Sequence, residues 1–232
     1  MIKLLGVDSV TNIRQLNLVN INLGPDDINA LSQLIEQSTN LKGLIIGNQD
    51  ISNECVALLI ETVLSPASLN EVELWSLQFT DENVRRFKLL ENNSNLCKLK
   101  FINCSVGLEL AVPYVAEALH KNESLTLLGI PYKTPNSIYI SKELTLIDSL
   151  FAEQNEYDIN FGESSIRALS EMLKVNKTLK CLIICATNLS NEDILTLISA
   201  LQVNSTLKSL IFHPEVQLIG QRISFLPHSL LQ

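Results

Sequence analysis

Residues able to make or break covalent bonds are sparse in this chain. The histidines are His120, His213 and His228, and the cysteines are Cys55, Cys97, Cys104, Cys181 and Cys185. Nucleophilic catalysis needs a thiol or hydroxyl beside a base that a third group orients. Cys185 and His213 could share one face on neighbouring strands, but no orienting acid or oxyanion site accompanies them. His120 falls at a helix end, where a cation complements the helix dipole without any catalysis. Phosphate-binding glycine loops, CxxC pairs and metal-ligand spacings are missing from the sequence. The expectation is therefore a protein that is not an enzyme, with no catalytic residue, no metal and no cofactor. Recognition is better served. Glu71, Glu73 and the sole tryptophan, Trp75, alternate along one stretch, and Lys98 and Lys100 alternate along another. Paired charges and a large aromatic are the groups that anchor protein partners.

These residues are carried by a repeated element. Leu69 to Phe79 has apolar residues at 69, 72, 74, 77 and 79, a pattern of the form LxxLxLxxNxL. The same pattern begins at Ile13, Leu41, Leu69, Leu96, Leu125, Phe151, Leu179 and Leu207, with spacings of 28, 28, 27, 29, 26, 28 and 28. A unit of this length cannot bury its apolar face alone and must stack on its neighbours, so the chain reads as a solenoid. Within a unit the alternation at the start is that of a strand. The later apolar residues, such as Ile28, Leu31, Leu34 and Ile35, recur at helical spacing. Helix-start chemistry sits between them: Pro25 with Asp26 and Asp27, Ser52, and the capping box from Ser190 to Asp193. A phrase built on Asn93, Asn122, Asn176 and Asn204 precedes later strands; asparagine tolerates the left-handed conformation, so it is read as a helix stop. Several copies match a glycosylation acceptor, but their phase with the repeat favours a structural role.

One domain is expected over 1–232, with caps at 1–12 and 214–232 and about eight repeats over 13–213. The rhythm breaks at 131–161. Pro131 and Pro135 oppose a regular turn into a helix, and the unit from Phe151 places Gln154 and Glu156 where leucines belong, so this segment is expected to be irregular. Such departures from local consistency mark functional or strained places as well as evolutionary scars.

Composition narrows the partner. With 25 acidic against 17 basic residues the formal charge is -8, and no Lys/Arg cluster is present to neutralise a row of phosphates. Nucleic acid and anionic membranes are thus disfavoured. No apolar run approaches the roughly 20 residues that span a bilayer, and the first residues do not read as a secretory signal. Cys181 and Cys185, four apart on a strand, would lie about 13 Å from each other, beyond disulfide reach. A reducing, cytoplasmic setting fits, with a host-cell cytosol as the alternative.

The units from Leu96 to Cys104 (LxxLxLxxC) and the lead-in from Asn122 to Leu125 (NxSL) resemble the ribonuclease-inhibitor-like class of leucine-rich repeats over residues 13–212. The chain is similar, less closely, to leucine-rich-repeat effectors of intracellular bacteria. The class implies a curved α/β solenoid, parallel strands on the concave side and helices on the convex side, that binds other proteins and sometimes inhibits enzymes. Adjacent strands lie about 4.8 Å apart, so Glu71 is expected to meet Lys98 and Glu73 to meet Lys100. Trp75, beside Ile102 and near Tyr132 and Tyr157, is read as the anchor of an exposed concave patch, with packing against the irregular loop as the alternative. The partner-binding set is thus Glu71, Glu73, Trp75, Lys98, Lys100, Ile102, Tyr132 and Tyr157, on a chain expected to be monomeric when unbound. A GTPase-regulating repeat protein and a structural scaffold are the competing functions.

Overall fold

The computed structural model describes residues 12–48, 50–65, 68–104, 107–132, 162–184 and 189–212. Seven strands are seen among them: β1 (Gln15–Val19), β2 (Gly43–Gly47), β3 (Glu71–Trp75), β4 (Lys98–Ile102), β5 (Leu127–Tyr132), β6 (Cys181–Ile184) and β7 (Ser209–Phe212). They form one parallel sheet in sequence order. Between them run α1 (Pro25–Gln37), α2 (Asn53–Leu64), α3 (Asp81–Val84, continued as a 3-10 helix over Arg85–Asn92), α4 (Leu108–Leu119), α5 (Glu163–Val175) and α6 (Asn191–Leu201).

The alternation of each strand decides where the core lies. Leu18, Leu44, Ile46, Val72, Leu74, Leu99, Phe101, Leu128, Ile130, Leu182 and Ile184 are buried in one cluster with the inward stripes of the helices. At its centre Phe79, Phe87 and Phe101 meet edge to face, with ring centroids 5.5–5.8 Å apart, the geometry that aromatic quadrupoles prefer. Local chemistry starts the helices as their residues suggest. Pro25 occupies the first turn of α1, the Ser52 hydroxyl accepts from the Cys55 N–H, and Ser190 and Asp193 bond reciprocally. The chain leaves the strands through left-handed residues, Asn20, Ser76 and Asn103, with φ of 60°, 50° and 53°. Asparagine satisfies this conformation locally at small cost, and Ser76 is held in it by its N–H donating to the Ile102 carbonyl at 2.8 Å. Gly107 (φ 73°) is obligatory for a second reason: a Cβ there would lie 1.9 Å from the Phe79 carbonyl oxygen.

The asparagine phrase has a different role from the one expected. Asn93 and Asn176 take extended backbone angles, not left-handed ones, and their side chains are buried. Asn122 shows the reason. Its amide donates to the Leu90 and Asn93 carbonyls at 2.7 and 2.8 Å, and its Oδ1 accepts from the Ser124 and Leu125 N–H groups at 3.1 and 2.8 Å. Asn93, Asn176 and Asn204 make the corresponding bonds in their own units. Each asparagine thus joins the carbonyls left open at the previous helix end to the start of its own strand. An amide so engaged and 3% exposed, as at Asn122, is closed to glycosylation.

The same ladder revises the repeat count. β5 pairs directly with β6 (Leu127↔Cys181 to Ile130↔Ile184), and the Asn176 amide reaches back to the Leu119 carbonyl at 2.7 Å. The unit expected to begin at Phe151 therefore supplies no strand between them, and α5 packs beside α4, with Ser165 Oγ donating to the Glu109 carbonyl at 3.0 Å. About one repeat length of sequence stands between the strand and the helix of a single unit, which kept the spacing in phase and concealed the break. The register of β5 on β4 slips between Lys100 and Ile102, the latter facing Tyr132, where the irregular segment was expected to begin. The rest of that segment from 133, Tyr157, and both expected caps save Asn12 lie outside the described residues.

Removing one rung should be costly. Asn122→Ala removes one donor from each of two carbonyls, which keep the Asn93 N–H and the Ser124 hydroxyl, and leaves the Ser124 and Leu125 N–H groups without their acceptor; it should lower unfolding stability by about 2–4 kcal/mol, read as a drop in the urea midpoint at unchanged slope. Asn92→Ala, one residue from the preceding rung but exposed, should cost less than about 0.5 kcal/mol.

Candidate protein-binding face

Strand residues that point away from the helices form the second face of the sheet. Parallel register aligns them in rows. Glu71 stands opposite Lys98, Glu73 opposite Lys100, and Trp75 opposite Ile102. Lys98 Nζ pairs with Glu71 Oε1, both side chains about half exposed. Lys100 Nζ lies 2.7 Å from Glu73 Oε1 in a more sheltered place, with side-chain exposures of 33% and 19%. The other carboxylate oxygen of Glu73 accepts from the Trp75 indole N–H at 3.2 Å. Glu73 therefore ties the ammonium of one strand to the indole of its own.

Trp75 is not the solvent-facing anchor that its position implied. It is 4% exposed and packs with Ile45 (5%) and Ile102 (2%), with half-buried Val19 against them. Register explains the cluster. Trp75 lies beside Ile102 on β4, while on the other side Gly47 stands between it and Val19. A Cβ on Gly47 would meet the Trp75 carbonyl oxygen at 1.8 Å, so glycine there permits the close approach that packs these strands. Ile102, also counted in the exposed patch, belongs to the same buried group. Of Tyr132 only the backbone is described, and Tyr157, Cys185 and His213 fall outside the described residues.

What remains open on this face is a polar half and an apolar half. Gln15, Asn17, Glu71, Lys98 and Lys100 lie on the first four strands, exposed or half-buried. On the last three lie Leu127, Cys181, Ile183, Ser209 and Ile211, each half-buried. Leu127, Ile183 and Ile211 were legible as outward positions from the strand alternation, but isolated aliphatic residues gave no chemical reason to prefer them. Gly129, beside Lys100, leaves the lysine stem uncrowded: a Cβ there would approach Lys100 Cγ to 3.3 Å.

No protein-family model matches the chain, and no curated protein matches it. Solved structures do. A tropomodulin C-terminal domain from Caenorhabditis elegans superposes with a TM-score of 0.50 at 17% identity, covering 77% of this chain and 93% of that one. The actin-binding site 2 of leiomodin-1 matches at 0.46 and 17%, over 56% of this chain and 76% of that one. A putative deoxyribose-phosphate aldolase from Coccidioides immitis reaches only 0.28 at 11% identity, over 90% and 83%. At this identity the tropomodulin domain shows a shared leucine-rich-repeat-like α/β fold and nothing further, and the two lower scores carry no argument.

Cys104 fills the Asn/Cys slot with its Sγ donating to the Leu74 and Ile102 carbonyls, and burial pushes its thiol up to about 12. Burial also raises the Cys181 thiol, opposed by a bond with Ser209. Among the described residues no cluster of three or more His, Cys, Asp or Glu could hold a metal, and no helix is long and apolar enough to cross a membrane.

Two outcomes follow from this burial. As the sole tryptophan, Trp75 should emit at the short wavelengths of an apolar site and resist acrylamide quenching, and Trp75→Ala should cost about 3–5 kcal/mol. Quenching as fast as that of free tryptophan would contradict its placement. Cys104 binds its proton more tightly folded than unfolded, so unfolding releases that proton above pH 9. Stability should then fall as pH rises from 9 toward about 12, and Cys104→Ala should flatten that fall.

Proposed function

We infer that the chain is a non-catalytic protein-binding module of the ribonuclease-inhibitor-like leucine-rich-repeat class, engaging its partner through the sheet face opposite the helices. The observation that carries this reading is the one-sided sheet. Its helix side buries the core, while the other side ranks in-register charges of both signs beside half-buried aliphatic residues over seven strands. A mixed apolar and charged surface of this kind suits a folded protein better than a phosphate backbone, which a chain of net charge -8 repels. In this reading the sheet is concave and embraces its partner, blocking or sequestering it. Glu71 and Lys98 form the rim, Glu73 and Lys100 set specificity, and Trp75 with Ile102 stiffens the floor beneath them. Exposed ion pairs add little affinity, about 0–1 kcal/mol each, so the half-buried aliphatic residues supply most of it.

Capture on the immobilised full chain tests this with one variant on the sheet face and one on the helix side. Leu127→Asp with Ile183→Asp should weaken every specific partner at least tenfold. Leu110→Asp on α4, a helix-side residue 37% exposed, should leave binding unchanged. Equal melting temperatures would show that both remain folded. A sheet-face variant that holds the same partners at wild-type affinity would sink the assignment.

A further inference from the structure

The parallel strands put the helix starts at one edge of the sheet and the strand starts at the other, and charge divides between the two edges. Each helix from α1 to α6 carries an acid in its first turn, from Asp26 to Asp193, where it offsets the positive end of the helix dipole. In the turns that lead into the strands, the described charges are Arg14, Lys42, Glu123, Lys177, Lys180 and Lys208, all exposed. Cations thus dominate one edge of a chain whose net charge is -8.

Most of the described lysines are already engaged. Lys88, Lys98, Lys100, Lys121 and Lys174 each pair with a glutamate, and Lys42 donates to the Ser68 carbonyl. Lys177, Lys180 and Lys208 form no ion pair with a described residue, Glu123 on the neighbouring turn included. The pairing of β6 with β7 gathers these three. The Lys208 N–H donates to the Lys180 carbonyl at 2.8 Å, which sets both lysines in one row, and Lys177 precedes Lys180 in the same turn. Like charges side by side on neighbouring strands are destabilising, so the fold itself gains nothing from the trio.

The apolar half of the open face begins where the lysines end. Ile183 and Ile211, in register with each other, lie three residues along from Lys180 and Lys208, about 10 Å at roughly 3.3 Å per residue. The acids that open α6 follow Ile184, which is about 13 Å along the strand from Lys180. That exceeds the screening length of about 8 Å in physiological salt, so the cations are felt locally despite the net charge.

We propose that the partner of the sheet face is acidic at this corner: a protein segment whose carboxylates seat on Lys177, Lys180 and Lys208 while a neighbouring apolar side chain packs on Ile183 and Ile211. This recognition presupposes the sheet-face binding proposed above and adds the chemistry of the partner. Glu71 and Glu73 already balance Lys98 and Lys100, so three cations stand beside neutral ground. They suit a short acidic stretch and not the continuous charge of a nucleic acid.

A fluorescein-labelled random copolymer of glutamate and tyrosine, which samples many spacings of carboxylate and apolar ring, is the probe. In fluorescence polarisation the full chain should bind it, more weakly as salt rises, and should not bind a copolymer of lysine and tyrosine. Lys180→Glu with Lys208→Glu should weaken binding at least tenfold. Arg85→Glu with Lys88→Glu, an equal change of charge on the helix side, should leave it within about twofold. Absence of binding, or equal loss in both charge variants, would overturn the proposal. So would polyphosphate binding more tightly than the copolymer through the same lysines, or a dimer in light scattering that Lys180→Glu with Lys208→Glu splits, because the corner would then serve a phosphate chain or a second copy. Binding removed by Leu127→Asp with Ile183→Asp but spared by Lys180→Glu with Lys208→Glu would sink the acidic partner and leave the sheet-face function standing. The reverse pattern would sink both.

Discussion

A helix that ends inside a stack of helices leaves carbonyl groups that water cannot reach, and the architecture of this chain depends on how they are satisfied. Buried acceptors without donors cost about 1–3 kcal/mol each, and the cost recurs in every unit. The solution is a side-chain amide, which has donors at one end and an acceptor at the other. Asn122 spends its donors on the unit before and its acceptor on its own strand start. Because the bonds run between units, each rung also sets the distance and register of its neighbours. In the first units serine does part of this work, Ser68 Oγ donating to the Ser38 and Leu41 carbonyls.

From this constraint follow the parallel sheet and its two unequal faces. Once the helix ends and strand starts are locked, the alternation of each strand has only one way to point its leucines. The outward residues are free to vary, and they do: Asn17, Ile45, Glu73, Lys100, Gly129, Ile183 and Ile211 share one row. Variation in a fixed row is what lets a repetitive scaffold acquire a particular surface. In this row Glu73 is bonded on both sides, to Lys100 and to Trp75, so its carboxylate is held in place before any partner arrives.

Much of this was legible in the residues, and the misses have physical causes. Strand and helix in each unit follow from a period of two giving way to one of 3.6, and the ion pairs follow from register alone. Three readings changed. Asn122 and its relatives were read through backbone preference, whereas their side-chain amides donate to the unit before and their oxygens accept from the start of their own strand, and a local pattern reports only the second of these. Phe151 was counted as a unit start because the intervening sequence is close to one repeat long; only the pairing of β5 with β6 shows otherwise. Trp75 was placed on the correct face but not at the correct depth. Alternation gives direction, and burial depends on the neighbours in other strands, here Ile45, Ile102 and the missing side chain of Gly47.

The direct pairing of β5 with β6 across so much sequence bears on how the chain folds. Elsewhere each unit closes by joining neighbours in sequence, and stacking can spread along the chain one unit at a time. At this junction α5 must find α4 and β6 must find β5 only after a connection of some thirty residues has been closed. Doubling a loop adds only about 0.6 kcal/mol of closure entropy, so the finished molecule is scarcely weakened. The search is what lengthens. The units before and after this seam should gather as separate cooperative blocks, and the late event in folding is their coming together along the edge of β5.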